Sequence, residues 1–343
     1  MKLGVHVMRS TVNFGLWGSG ADPNVEMVRL AESLGYDSVW TAEAAGTDAV
    51  VPLAWLAAKT SRIKIGTGIV QMTARSPATT AMTAATLDHL SGGRLILGLG
   101  TSGPAVVEGW HSTRYRDPLG RTREYVEVVR RVMARAGPVS FHGDYYDIPY
   151  QAPDATGLAD PIQLMIRPFR RRVPLYLAAM GRRNLSLAYE IADGVIPAFY
   201  SPYREAEFFA GVHENGRADA VELAPLVPVA VGRELDACWR RLKPGLAFWI
   251  AAMGARGVNF YNRHVRRLGF EGFPADVQRL YQEGRRAQAA AGIPDSFVDE
   301  VALCGPPERI PERVAAWNDS RVGTMILTGA DRAALVAVAE AAL

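Results

Sequence analysis

From Leu3 to Met8 apolar positions alternate with small or polar ones, the period-two pattern of a strand with one face on a core. Residues 24–34 then carry apolar side chains at helical spacing, and Gly35 stands where a helix commonly ends in the left-handed conformation. Further strand–helix units follow, without a strong internal sequence repeat. Residues 36–41 predict a second strand, a helix capped by Asp48 runs to about Thr60, and residues 63–72 predict a third strand. Ser76-Pro77 opens a further helix with a serine cap and a proline at the first helical position, Gly92-Gly93 end it, and residues 95–99 predict a fourth strand.

Beyond this point the pattern loosens. Residues 103–118 predict a long loop, 119–136 a helix, and 139–172 a hairpin-like stretch at Phe141–Tyr146 followed by irregular chain. Regularity returns with strand 173–178, helix 182–192 and strands 194–200 and 224–231. A mostly helical insertion over 233–322 precedes a last strand, 324–328, and a terminal helix. Strands that alternate with helices pair in parallel, because a parallel pair needs a crossover. Eight strands in 343 residues favour one closed (β/α)8 barrel over an open doubly wound sheet. The predicted organisation is a single domain over 1–343, with insertions at approximately 103–117, 138–172 and 233–322.

Composition narrows the classes. With 49% hydrophobic and 21% charged residues the chain can bury a large core, and a net charge of +3 gives no reason to expect a nucleic-acid partner. The two cysteines lack metal-ligand spacing, and no two of the six histidines lie two or four residues apart, so no metal is expected. No nucleophile-elbow motif G-x-S-x-G occurs, which argues against a serine hydrolase. The amino terminus enters a strand directly and no apolar run could span a bilayer, so a soluble, cytoplasmic protein without membrane partners is expected.

In a β/α barrel the chemistry sits at the carboxyl ends of the strands. There the third strand reads Gly66-Thr67-Gly68-Ile69 and the fourth Gly98-Leu99-Gly100-Thr101-Ser102-Gly103. Gly66 and Gly68 share one face, as do Gly98 and Gly100, so a flat ring can lie against bare backbone; tight internal packing is the competing cause. The fourth-strand segment also fits a dinucleotide fingerprint, but it falls on the wrong strand and no clean helix follows. After the fifth strand, Ala178-Ala179-Met180-Gly181-Arg182-Arg183-Asn184 leads into a helix whose first amides form a ready anion site, or an ordinary capped start. His6 shares its parity with Gly4 and faces the barrel mouth, as an acid or base or as a structural hydrogen-bonder. Glu43 ends the second strand, where it binds a ring or substrate group or serves as a cap. Glu108, Trp110 and His111 either line the pocket or lie in a solvated loop.

These segments resemble the luciferase-like monooxygenase superfamily. The stretches that carry the resemblance are Val39–Ala44, Thr60–Ile69 and Leu90–Gly100; Ser102–His111 and Leu177–Gly181 resemble its coenzyme F420-dependent oxidoreductase branch, methylenetetrahydromethanopterin reductases included. The resemblance implies a deazaflavin across the strand ends and a non-proline cis peptide at Gly68-Ile69. It further implies a cofactor phosphate at Ala179, Met180, Gly181 and Arg182, and a homodimer. Two departures stand out. Sugar-phosphate dehydrogenases of this branch use an acid–histidine pair after the second strand and a glutamate after the fourth, where this chain has Glu43-Ala44 and Gly103-Pro104. His6 takes the place of a first-strand glutamate in the reductases.

The expectation is therefore an F420-dependent oxidoreductase acting on a small molecule. His6 and Glu43 are its catalytic candidates, and Gly66, Thr67, Gly68, Ile69, Gly98, Gly100, Thr101, Ser102, Ala179, Met180, Gly181 and Arg182 its cofactor seat. An FMN-dependent monooxygenase and a non-catalytic flavin- or ligand-binding barrel are the alternatives. The basic run 166–172 either meets the acidic tail of F420 or is a solvated loop.

Overall fold

Leu3 and Val5 point from the first strand into a layer of helices, while Gly4 on the opposite face meets Trp40. That division organises the molecule. The computed structural model describes residues 1–7, 23–43, 46–253 and 259–343.

The elements follow in chain order. The first part holds β1 (Lys2–His6), α1 (Pro23–Ser33), β2 (Ser38–Thr41), α2 (Val50–Lys59), β3 (Lys64–Thr67), β4 (Val70–Gln71), α3 (Pro77–Leu90) and β5 (Leu95–Gly100). Next come α4 (Pro104–Gly109), α5 (Pro118–Ala134), the small hairpin β6 (Phe141–His142) and β7 (Asp147–Ile148), β8 (Leu175–Ala178), α6 (Arg182–Ile191) and β9 (Gly194–Ile196). The last part holds α7 (Glu205–Phe209), β10 (Glu222–Leu223), β11 (Leu226–Val231), α8 (Leu235–Ala251), α9 (Phe260–Arg267), α10 (Pro274–Gln282), α11 (Arg286–Ala291), α12 (Asp295–Val301), β12 (Leu303–Gly305), α13 (Ile310–Asn318), β13 (Thr324–Thr328) and α14 (Arg332–Ala342).

Among the described residues every pairing is parallel apart from the hairpin and a single antiparallel bridge between Val139 and Ile162. The path β9-β8-β5-β3-β2-β1-β13-β11 closes through bridges from Ala198 to Leu226 and from Leu223 to Val322. Counting β3 with β4 and β10 with β11 as single staves gives the eight of a (β/α)8 barrel. The helices start as the sequence predicts. Asp48 Oδ1 accepts from the Val50 and Val51 amides at 2.8 and 2.6 Å, and Ser76 Oγ from the Thr79 amide at 3.1 Å.

Three details depart from the pattern-based reading. The loop predicted over 103–118 contains the short helix α4, which the proline at its first position starts. The insertion 233–322 is not all helical, because Leu303–Gly305 pairs with Val229–Val231 as an added strand. The basic run 166–172 lies at the amino ends of the strands. There Arg170 binds the fully buried carboxylate of Asp88 and the Leu95 carbonyl, and Arg172 binds Asp193. Arg170 and Arg172 are thus committed to structure at the amino ends of the strands, the face opposite the barrel mouth.

Side chains fill the barrel interior. Trp40, Ile96, Tyr176, Ile196, Ala224 and Ile326 form its middle layer, with the Trp40 and Tyr176 rings 5.9 Å apart. Below them Tyr176 donates to Glu222 at 2.7 Å, Thr324 donates to the same carboxylate, and Lys2 pairs with it at 3.1 Å. That network plugs the amino end, so the open end is the carboxyl one.

Candidate active site

The predicted glycines do not all serve one purpose. A methyl group added at Gly66 would stand 2.4 Å from the Trp40 ring, and one at Gly98 would stand 1.9 Å from the Thr67 carbonyl oxygen. Their missing side chains make room for the protein itself, the competing cause weighed from the sequence. Thr67 is spent in the same way. Its buried hydroxyl donates to the Gly98 carbonyl and accepts from the Gly98 amide, both at 2.8 Å, so it joins β3 to β5.

Gly68 differs. The nearest atoms to a methyl group there are Trp40 Cε3 at 3.5 Å, Trp40 Cβ at 3.8 Å and His6 Cδ2 at 3.9 Å, so its face opens into the mouth beside His6. The Gly68-Ile69 peptide bond is cis, as the resemblance implies. Ile69 packs on the interior layer and covers Gly100, whose added methyl would meet it at 2.8 Å and the Ala178 methyl at 3.5 Å. A floor of Trp40 and Ile69, rimmed by small residues and His6, results. Thr101 belongs to a cleft shared with Met72, Thr73, Arg114 and Arg116, and Ser102 turns through a positive φ of 56° into α4.

Glu43 sits at this rim in a dense polar set. Its Oε1 accepts from the Gln71 amide at 3.2 Å, and its Oε2 from Arg75 at 2.8 Å, with that ion pair largely shielded from solvent. Arg75 also binds Asp48 at 2.5 Å. Burial alone would lower the Arg75 pKa, but Glu43 and Asp48 outweigh it and raise it further. Gln71 Nε2 donates to the Glu43 carbonyl at 3.0 Å, which turns its Oε1 toward His111 Nε2. His111 therefore joins the wall, whereas Trp110 is exposed and Glu108 accepts from the Tyr115 amide at 3.1 Å. Ala44 and Met8 lie outside the described residues.

On the neighbouring stave, Ala179 is buried in the core and Gly181 starts α6 with no side-chain cap, leaving the first-turn amides of Arg182 and Arg183 to other partners. The Met180 carbonyl accepts from Arg267 at 2.6 Å. Arg267 comes from α9 in the insertion, and nothing in the local pattern there signals it. Arg75, Gln71 and Arg267 are the site residues that sequence reasoning missed. Glu43 was the available hint to the first, since a shielded carboxylate calls for a cation. Among the described residues no group of three or more His, Cys, Asp or Glu side chains could hold a metal, and no helix is long and apolar enough to cross a membrane.

A β/α barrel with its mouth built from small residues and an uncapped helix start beside it defines a class that seats a flat, anionic cofactor at the strand ends. The family follows directly. The luciferase-like monooxygenase model matches residues 2–324, and the chain belongs to that family. A Mycobacterium tuberculosis protein with the provisional name coenzyme F420-dependent oxidoreductase is 40% identical over 96% of this chain and 95% of its own. The 5,10-methylenetetrahydromethanopterin reductase of Archaeoglobus fulgidus is 26% identical over 88% of this chain and 87% of its own. Among solved structures, the coenzyme F420-dependent tetrahydromethanopterin reductase of Methanopyrus kandleri shares the fold with a TM-score of 0.78, at 20% identity over 99% of this chain and 98% of its own.

Proposed function

We propose that this protein is an F420-dependent oxidoreductase that moves a hydride between the deazaflavin C5 and a small organic substrate at the barrel mouth. One juxtaposition carries the reading. The open rim at His6, Gly68 and Ala178 runs across the staves β3, β5 and β8 to the uncapped start of α6, so a ring and a phosphate of one molecule can be met together. The 40% identical relative's name adds the choice of deazaflavin over FMN.

Gly68 and Ile69 offer the ring its backing, Thr101 and Ser102 its edge, and Ala179, Met180, Gly181 and Arg182 the phosphate seat. When bound, the deazaflavin supplies a carbon that takes or returns two electrons with a hydrogen nucleus. The protein supplies orientation and a route for the accompanying proton. His6, at the mouth beside Gly68, would hold that proton on an imidazole nitrogen. Glu43 would fix the rim electrostatically, since Arg75 and the Gln71 amide take one of its oxygens each.

The test is a fluorescence titration of the purified protein with F420, together with the absorbance of any ligand retained on purification. Saturable binding is expected. A protein without affinity for F420 defeats the proposal. A bound yellow FMN with substrate-dependent oxygen uptake would replace it with the monooxygenase reading. His6→Gln should keep cofactor affinity and lower turnover by about 10²–10⁴, the usual worth of a positioned acid or base. A similarity of both parameters to wild type removes His6 from the mechanism.

A further inference from the structure

Several arginines on this surface are paired, as Arg123 is with Glu190, Arg204 with Glu300 and Arg309 with Asp299. Six around the carboxyl end of β5 and β8 are not. Arg114, Arg116, Arg182, Arg183 and Arg263 are exposed and Arg267 is half-buried, and none forms an ion pair within 4.0 Å among the described residues. They stand near one another. The positive charges of Arg183 and Arg116 both help hold the Asp117 carboxyl below its usual range, after the hydrogen bonds from Tyr145 and Gly120. Arg263 acts on Tyr115, and Arg182 adds to burial in lowering the pKa of Arg267.

The nearby acids do not neutralise this group. Asp117 is taken by the Tyr145 hydroxyl at 2.8 Å and the Gly120 amide at 3.2 Å, and Glu108 by the Tyr115 amide at 3.1 Å. Six cations thus face two carboxylates that are already bonded, a concentration of like charge that costs free energy unless an anion offsets it. Arg114 and Arg116 also line a cleft with Thr101 and Thr73, and the buried Thr73 hydroxyl oxygen has no hydrogen-bond partner among the described residues.

We propose that Arg183, Arg116 and Arg114 form a docking track for the oligocarboxylate tail of the cofactor, running on from the phosphate seat at Arg182 toward the cleft below Thr101. This rests on the F420 reading above and adds to it a recognition site for the tail. Guanidinium forks suit successive carboxylates, and a track of separate exposed cations reads length more than sequence. Such a site favours F420 over FMN, which carries a single phosphate and nothing beyond it.

Affinity is the readout, by fluorescence titration with three probes: the deazaflavin core without phosphate or tail, F420 with a short tail, and F420 with a long one. At low salt the long tail should bind about three- to tenfold tighter than the short one, the scale of a few exposed charge pairs. About 1 M salt, with a Debye length of about 3 Å, should erase that difference. The Arg114→Gln/Arg116→Gln double variant should equalise the two tails and leave the core's affinity unchanged. Arg62→Gln, an exposed charge at the amino end of β3, should change none of these values. Equal affinity for both tails, or a double variant that still discriminates, overturns the track and leaves the functional reading standing. A protein that binds none of the three overturns both.

Discussion

At Gly66 the cost of a single methyl group can be read from its surroundings. Trp40 is fully buried with its indole nitrogen bonded to Ser38 at 2.9 Å, so it has nowhere to retreat when a methyl arrives 2.4 Å from its ring. Gly66→Ala should destabilise the protein by about 1–3 kcal/mol or more through overpacking. Gly68→Ala meets nothing nearer than 3.5 Å, so it should leave the melting temperature close to wild type and weaken F420 binding instead. Thermal denaturation and cofactor titration of the two variants separate floor from seat. A Gly68→Ala protein that melts early but binds normally would reverse the assignment. The distinction was not legible beforehand. The sequence shows alternate glycines on two strands, and either occupant, ring or indole, explains them. Only the inward turn of Trp40 decides between the two.

Among the elements, the turn from α2 into β3 depends on a carboxylate from α1. Glu32 Oε1 accepts from the amides of Ser61, Arg62 and Ile63 at 3.0, 2.7 and 2.9 Å. Burial raises its pKa, and the three amide bonds outweigh this, so the net shift is downward. A lowered carboxyl pKa means stability that is present above the unfolded value of about 4.3 and is lost as pH falls through the folded value. Glu32→Gln should therefore melt below wild type at pH 7, by about 1 kcal/mol or less for a partly exposed group. The gap should close in acid, and a gap constant from pH 7 to 3 would refute the linkage.

The strands and helices up to Gly100 were readable because each carries a period or its own start and stop signals, as at Gly35, Ser76-Pro77 and Gly92-Gly93. β12 was not, since three residues between α12 and the start of α13 give no period to detect. Arg267 escaped for another reason. Its bond to Met180 joins residues 87 positions apart, a fact of packing that no local pattern encodes.

For the whole molecule, the homodimer implied by the resemblance leads to a prediction about the outside of the barrel. On α2, Val51 is 70% and Trp55 50% exposed, and on the adjacent α3 Met82 is 55% exposed. Single exposed apolar residues need no explanation, but three on neighbouring helices are the candidate contact for a second copy. Lys59 lies over the Trp55 ring at 4.3 Å, so the indole face is already partly covered and its edge is what a partner would meet. A two-fold contact would bring the same helices of both copies together and needs roughly 800 Å² from each. The expected outcome is a dimer by light scattering that Trp55→Glu/Met82→Glu converts to monomer. Both added carboxylates would lose water at the contact, and Lys59 can offset only the one at position 55, a cost that a surface of this size cannot absorb. A wild-type monomer, or a variant that stays dimeric, places the contact elsewhere or removes it. Because His6, Gly68 and Arg182 all lie at the carboxyl ends of strands within one barrel, the monomeric variant should still bind F420, and loss of binding on dissociation would mean that the site is shared between copies.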